Sequence, residues 1–404
     1  MMKKYNLILN QQTFLWVKNN EGLIYNSENF RRFVFTQSDK LTKICQHLLN
    51  IDNLYTVDLS EEELKNEDIS FFTDHIVSIN AGRLIKDGAG TEKDAVSLMP
   101  VLKVLKNDSH YIQEHQNGIA RDIINNIHEL TFYVNGSKFG DDKYYKQTIF
   151  PISTESKLDS EKIVRFIKNS RNSYLFKINL VGNIFSYPEY FELLNNIILF
   201  EVPVTICILA SDFIDNKEQL KKNAWHDKIS FNIIVDKKSD INLLINILDD
   251  INISFSTTFL VFSEQDCLEI DNISSSLNSS AIPIYNGNNI NFFESFIFLN
   301  QEDILSTELT KRQIFMRQAT NTNNFGKLTI LSDGSVYANV NEEPLGIIDD
   351  TPYSIVYQEF TKGKSWLGIR NQSPCKDCIY QWLCPSPSDY ETAIGRTNLC
   401  HVKL

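Results

Sequence analysis

No stretch of this 404-residue chain holds the roughly 18 uninterrupted apolar residues that a membrane-spanning helix needs. The opening Met1-Met2-Lys3-Lys4-Tyr5-Asn6 runs into alternation, not into the apolar core of a signal peptide. Both absences point to the cytoplasm and away from a membrane. Positive charge is in deficit as well: 39 Lys and Arg face 51 Asp and Glu, a formal net charge of -12. Neutralising phosphates supplies most non-specific nucleic-acid affinity, so no nucleic-acid partner is expected. Gly88-Ala89-Gly90-Thr91 lacks the lysine and spacing of a phosphate-binding loop and reads as a turn.

What is present is enough apolar material, 42% of residues, for two or three cores. Residues 5–26 read as a hairpin, with Leu7, Leu9 and Phe14-Leu15-Trp16-Val17 before the turn at 18–22 and Leu23-Ile24-Tyr25 after it. A helix follows from Ser38 or Asp39, with Leu41, Ile44, Cys45, Leu48 and Leu49 on one face. Ser60 and Glu63 stand at capping-box spacing before another short helix. A small hairpin with short helices is a winged-helix pattern, assigned to residues 1–85. Residues 86–127 read as a linker or helical region, within which Leu98 to Leu105 is an apolar segment of either type.

From residue 128 to 323 β-branched runs alternate with amphipathic helices, the signature of repeated βα units. Strands are predicted at 129–135, 174–181, 201–209, 229–236, 253–262 and 281–286. Asp159/Ser160 and Asp240 cap helices between them, the second carrying Leu243, Leu244, Ile247 and Leu248, and Ser263 to Asp266 starts another. Six such strands fit a partial parallel barrel of the α/β class. Phe292, Phe293, Phe296 and Phe298 read as a barrel-closing face. Residues 324–404 open with a hairpin, 327–331 and 335–337 around Ser332-Asp333-Gly334.

Four of the seven cysteines, Cys375, Cys378, Cys384 and Cys400, fall in the last thirty residues with C-x2-C-x5-C-x15-C spacing. Two thiolates separated by two residues turn onto one centre, and two more from nearby loops complete a sulfur cage. Zinc and an iron–sulfur cluster both accept that donor set, and spacing alone does not choose between them. Cys45, Cys207 and Cys267 lie apart in apolar surroundings and read as core; His401 reads as a surface residue, since four cysteines already fill the cage.

The segment Cys375-Lys-Asp-Cys378-Ile-Tyr-Gln-Trp-Leu-Cys384-Pro-Ser resembles the SPASM domain of radical SAM peptide maturases. Asp333-Gly334-Ser335-Val336-Tyr337 and Glu343-Pro344-Leu345-Gly346-Ile347 are similar to that domain's earlier motifs. The resemblance implies one auxiliary 4Fe-4S cluster on Cys375, Cys378, Cys384 and Cys400. It does not extend to a second, inner cluster, because Ala338 and Asn339 stand where the family tends to place a cysteine. In the barrel the radical SAM C-x3-C-x2-C is missing from the stretch Asn135 to Tyr145, where Tyr144-Tyr145 would plug the cofactor's place. The Gly-Gly-Glu-Pro motif is reduced to Gly182 in Leu180 to Tyr190, with its acid lost.

The chain is therefore similar to the pseudo-radical-SAM/SPASM proteins that accompany true maturases in Bacteroidales-type ribosomal peptide systems. That resemblance implies a degenerate partial (β/α)6 barrel, no S-adenosylmethionine and no catalytic residues. It implies two partners, a catalytic radical SAM/SPASM maturase and a precursor (leader) peptide bound by residues 1–85 as an added strand. An electron-relay subunit is one alternative. A zinc-stabilised winged-helix regulator is another, opposed by the charge of residues 1–100, where eleven Lys and Arg face fourteen Asp and Glu.

Overall fold

Each run of alternating apolar residues found its partner strand, but not always the neighbour in sequence. The structure, a computed structural model, describes residues 4–86, 97–102, 120–222, 225–273 and 278–402. At the amino end lie two three-stranded antiparallel sheets. One has the order β2 (Thr13–Lys18), β3 (Glu21–Asn26), β4 (Arg32–Thr36). In the other, β1 (Lys4–Leu9) is flanked by β5 (Thr56–Ser60) and β6 (Gly82–Lys86). The expected hairpin is thus β2–β3 alone; β1 pairs with strands about fifty and eighty residues onward. Helices Asp39–Leu49 and Glu67–Ser78 pack over these sheets, with Leu41, Ile44, Cys45 and Leu48 buried as the helical spacing requires. Ser60 and Glu63 make the reciprocal capping contacts, opening a short 3-10 turn.

All six expected βα strands are present: β7 (Glu129–Tyr133), β8 (Lys177–Val181), β9 (Val204–Leu209), β10 (Ile229–Val235), β11 (Ser254–Val261) and β12 (Ser279–Pro283). They pair in parallel in chain order. Beyond β7 the sheet continues through β13 (Lys327–Ile330), parallel to β7, then β14 (Ser335–Tyr337) and β15 (Gly346–Ile347), both antiparallel. The result is one nine-stranded mixed sheet rather than a barrel walled off from the carboxyl-terminal segment. The glycine of the β13–β14 turn, Gly334, has φ +91°, a conformation that costs glycine nothing.

The sheet's two faces differ sharply. Leu130, Phe132, Ile178, Leu180, Val204, Ile206, Ile208, Phe231, Ile233 and Leu328 point to one face and form the large core under helices such as Ser160–Ser170 and Ile241–Leu248. Asp159 caps the first of these through two amide donors, as expected, whereas Asp240 makes no side-chain cap. Leu243 is turned outward, as is Phe296 from the supposed closing face, while Phe292, Phe293 and Phe298 are buried. Leu98 to Val101 has no regular structure; Gly88 to Thr91 and the end of the Leu98–Leu105 segment lie outside the described residues.

A third core joins the two ends of the chain. Phe14, Leu23 and Tyr25 from β2–β3 pack with Ile304, Leu309, Ile314, Ile379, Tyr380 and Leu383. Tyr25, completely buried, donates its hydroxyl proton to Leu309 O at 2.9 Å and accepts from Leu309 N at 2.6 Å. Removing that hydroxyl leaves both groups buried and unpaired, so Tyr25→Phe is expected to cost about 1–3 kcal/mol, read from the urea midpoint at unchanged slope.

Candidate functional site

The carboxyl-terminal cysteines come from three places. Cys375 opens a 3-10 turn, Cys375–Asp377, whose end delivers Cys378. Cys384 follows the tight turn in which its amide bonds Tyr380 O, and Cys400 sits in a bridge beside Leu299. All four line one small cavity of about 20 Å³, closed on its other sides by Ile304, Arg370, Pro374, Gln381, Asn398 and Val402.

Three of the sulfurs already accept hydrogen bonds: Cys378 from Tyr380 N at 3.4 Å, Cys400 from Asn398 Nδ2 at 3.2 Å, and Cys375 from Arg370 Nη1 at 3.8 Å. Burial pushes the Cys378 thiol up to about 11 and the Cys384 thiol up to about 12. Uncoordinated thiols there stay protonated at neutral pH, and a bound metal would reverse that preference.

One guanidinium, that of Arg370, lines the cavity, and a second, that of Arg317, interacts with Cys384. Arg370 is ion-paired to Glu391 at 2.7 Å, with both side chains under a tenth exposed. It also donates from Nε to Pro385 O. Arg317 donates to Leu383 O and makes no ion pair among the described residues. Burial depresses its basicity, and Cys384 works against that effect. A thiolate cage on a metal carries net negative charge, which would match this otherwise unmatched cation; four neutral thiols would not. By donors and by charge the residues fit a metal group. As the side chains stand, no three His, Cys, Asp or Glu among the described residues are arranged to hold a metal ion. Metal uptake would therefore require the thiols to shift.

The other cysteines are elsewhere. Cys45 and Cys207 are buried and their thiols pushed up to about 12, an inert setting; Cys267 packs partly against the main core. His401 is exposed and its Nε2 lies 2.7 Å from Glu294 O, away from the cage. Sequence reasoning missed Arg317, Arg370, Asn398 and Glu391, because a lone polar residue, whether in a short helix like Arg317 and Glu391 or in a loop, has no spacing to mark its partner.

The carboxyl ends of parallel strands are where such sheets usually bind ligands. Here Tyr133, Val181, Leu209, Ile234 and Leu260 from successive strand ends meet Phe150, Tyr144 and Tyr145 in an apolar cluster. Tyr145 stacks edge-on to Tyr133, and Tyr144 to Phe150. Residues of the segment 139–152 thus pack on the strand ends. Behind it Ser137 donates to Asp212 at 2.5 Å and Asn183 donates to the same carboxylate at 3.1 Å. Gly182, at φ +129°, lets Asn135 approach so closely that a Cβ would sit 2.4 Å from its side-chain oxygen. That contact requires a glycine at 182 whether or not a cofactor binds.

At the inner-cluster position, Asn339 donates to Asp389 at 2.6 Å and Asn341 to the same oxygen at 3.2 Å. Burial holds the Asp389 carboxyl above its ordinary range. No helix among the described residues is long and apolar enough to cross a membrane.

No family model and no curated protein matches the chain. Among solved structures it is similar to Streptococcus suis SuiB bound to precursor peptide SuiA, at 11% identity and TM-score 0.45, over 98% of this chain and 99% of that one. It is also similar to SuiB bound to S-adenosylmethionine, at 12% identity and TM-score 0.43, over 97% of each chain. Scores at this level assign neither family nor function.

Proposed function

We propose that this chain is a cytoplasmic, non-catalytic, pseudo-radical-SAM subunit of a ribosomal peptide maturation system. It holds one auxiliary 4Fe-4S cluster on Cys375, Cys378, Cys384 and Cys400 and serves a catalytic radical SAM/SPASM maturase. The observation that carries this reading is a contrast: four cysteines line one cavity together with the Arg370 side chain, while the strand ends of the parallel sheet are filled by aromatic and aliphatic side chains. A cluster there would tie the carboxyl-terminal loops together. In this reading residues 1–85 recognise peptide, 86–127 connect, 128–323 form the degenerate barrel and 324–404 the cluster domain.

The peptide's place is the edge of β4, which among the described residues pairs only with β3 and can accept an added strand. Beside that edge, Phe33 meets Phe71, Phe72 and His75 of the helix Glu67–Ser78, and Phe71 is half exposed. Phe71→Glu is expected to weaken binding of the precursor peptide about tenfold or more, measured by calorimetric titration, without moving the melting temperature. Unchanged affinity would remove β4 and its helix from the binding site.

Anaerobic purification with iron, sulfide and zinc analysis tests the metal. About four irons and four sulfides per chain support the reading, and one zinc replaces the cluster with a structural zinc site. Copurification of a radical SAM maturase supports the subunit role. Modification of the peptide by this chain alone with S-adenosylmethionine would end it.

A further inference from the structure

Strands of parallel sheets are ordinarily apolar on both faces, because both are covered. The face of this sheet opposite the main core breaks that rule along most of its length. Thr205 faces Ser230, Asn232 accepts from Ser256 and Thr258, and Thr258 meets Ser280, all through side-chain contacts between neighbouring strands. The apolar cluster occupies only the carboxyl ends.

At the opposite, amino-terminal ends the polar face becomes charged. Glu129 of β7 is in register with Lys177 of β8 on one side and Lys327 of β13 on the other. Because strands are spaced about 4.8 Å apart, this cross-strand row places a lysine on each side of one glutamate. Glu129 is not paired to either; it accepts from Asn179 at 2.5 Å. Among the described residues neither lysine's ammonium group makes an ion pair or hydrogen bond. The completely buried Asn179 keeps a side-chain oxygen without a donor.

The row opens into a cavity of about 510 Å³ between the sheet and the carboxyl-terminal segment. Its size is that of a site for a small molecule or a few peptide residues. Asp389 faces the row from across the cavity, with Lys327 acting on it. Two cations against two acids leave no surplus positive charge to hold a phosphate or nucleotide. They suit a singly charged carboxylate that carries an amine or amide nearby. Thr131, Thr329, Gln147 and Asn323 add hydroxyl and amide partners around it.

The geometry points to a binding site for a carboxylate-bearing amino acid or acidic peptide residue, whose carboxylate bridges Lys177 and Lys327 while Glu129 and Asp389 take its nitrogen. This site is separate from the cysteine cage and from the β4 edge, and it stands or falls without them.

Calorimetric titration of the full-length protein with three probes tests it: L-glutamate, acetyl-Ala-Glu-Ala-amide and acetyl-Ala-Gln-Ala-amide. The glutamate-containing tripeptide should bind about tenfold more tightly than its glutamine counterpart. Binding of free L-glutamate would identify an amino-acid ligand, and binding of the blocked tripeptide alone a peptide side chain. Lys177→Gln and Lys327→Gln should each weaken the acidic probe about tenfold at unchanged melting temperature, whereas Lys177→Arg should retain it. Phe71→Glu should leave these affinities untouched, so failure here is distinguishable from failure of the peptide-recognition reading. Equal affinity for the acidic and amide tripeptides, retention in both glutamine variants, or no binding of either glutamate probe overturns the assignment.

Discussion

Cys384→Ser is expected to abolish stable iron binding, dropping anaerobically purified protein from about four irons per chain to near none. Cys384 is the cysteine most enclosed by the third core, where Tyr380 and Leu383 pack against β2–β3. Its removal therefore withdraws a ligand that no neighbouring side chain replaces. The β2–β3 turn is tied to the same loop, since Lys18 Nζ donates to Lys376 O at 2.9 Å and Asn19 Nδ2 to Asp377 O at 3.2 Å. Loss of the metal should thus be felt at the amino end. Hydrogen exchange is expected to accelerate over 13–26 together with 375–384, while β8 to β10 stay protected. Full iron content in the variant, or exchange changes confined to 375–384, would contradict this coupling.

Arg370→Leu is the second large effect. It strands the Glu391 carboxylate, buried with its partner and also bonded to Ser388 N at 2.9 Å. Breaking a buried pair by removing one member costs about 3–5 kcal/mol, because the remaining charge keeps its desolvation penalty. Arg370→Lys should recover only part, since a lysine cannot reach Glu391, Pro385 O and the Cys375 sulfur from one planar fork. Replacing both partners, as in Arg370→Leu with Glu391→Leu, should cost less than the single change. Urea unfolding of the three variants reads this directly, and additive losses would show that the pair is not coupled.

The parallel strands were legible because β-branched runs of five to eight residues bounded by turn residues admit few alternatives. Their ends were not: the run at 281–286 proved to be Ser279–Pro283, since pairing with β11 decides which residues are extended. The hairpin expected over 5–26 is present only from Thr13 onward, for a similar reason. Leu7 and Leu9 alternate as a strand should, but alternation does not name a partner, and β1 pairs with β5 and β6. Strand β4, Arg32–Thr36, was missed although Ser38 marks the start of the helix that follows.

Within the candidate site, the convergence of the four cysteines on one cavity could be read from spacing alone, because close spacing in loops keeps such residues near one another. The sequence by itself determined the grouping of the four carboxyl-terminal cysteines and the βα alternation. Only the tertiary structure decided that the cysteine loop docks on the amino-terminal sheet, that Arg317 and Arg370 interact with cysteines of the cage, and that Lys177, Glu129 and Lys327 share one row. Those neighbours are separated by tens to hundreds of residues. Their proximity follows from strand order and side-chain burial, which are properties of the whole packed chain and leave no mark on any local stretch of it.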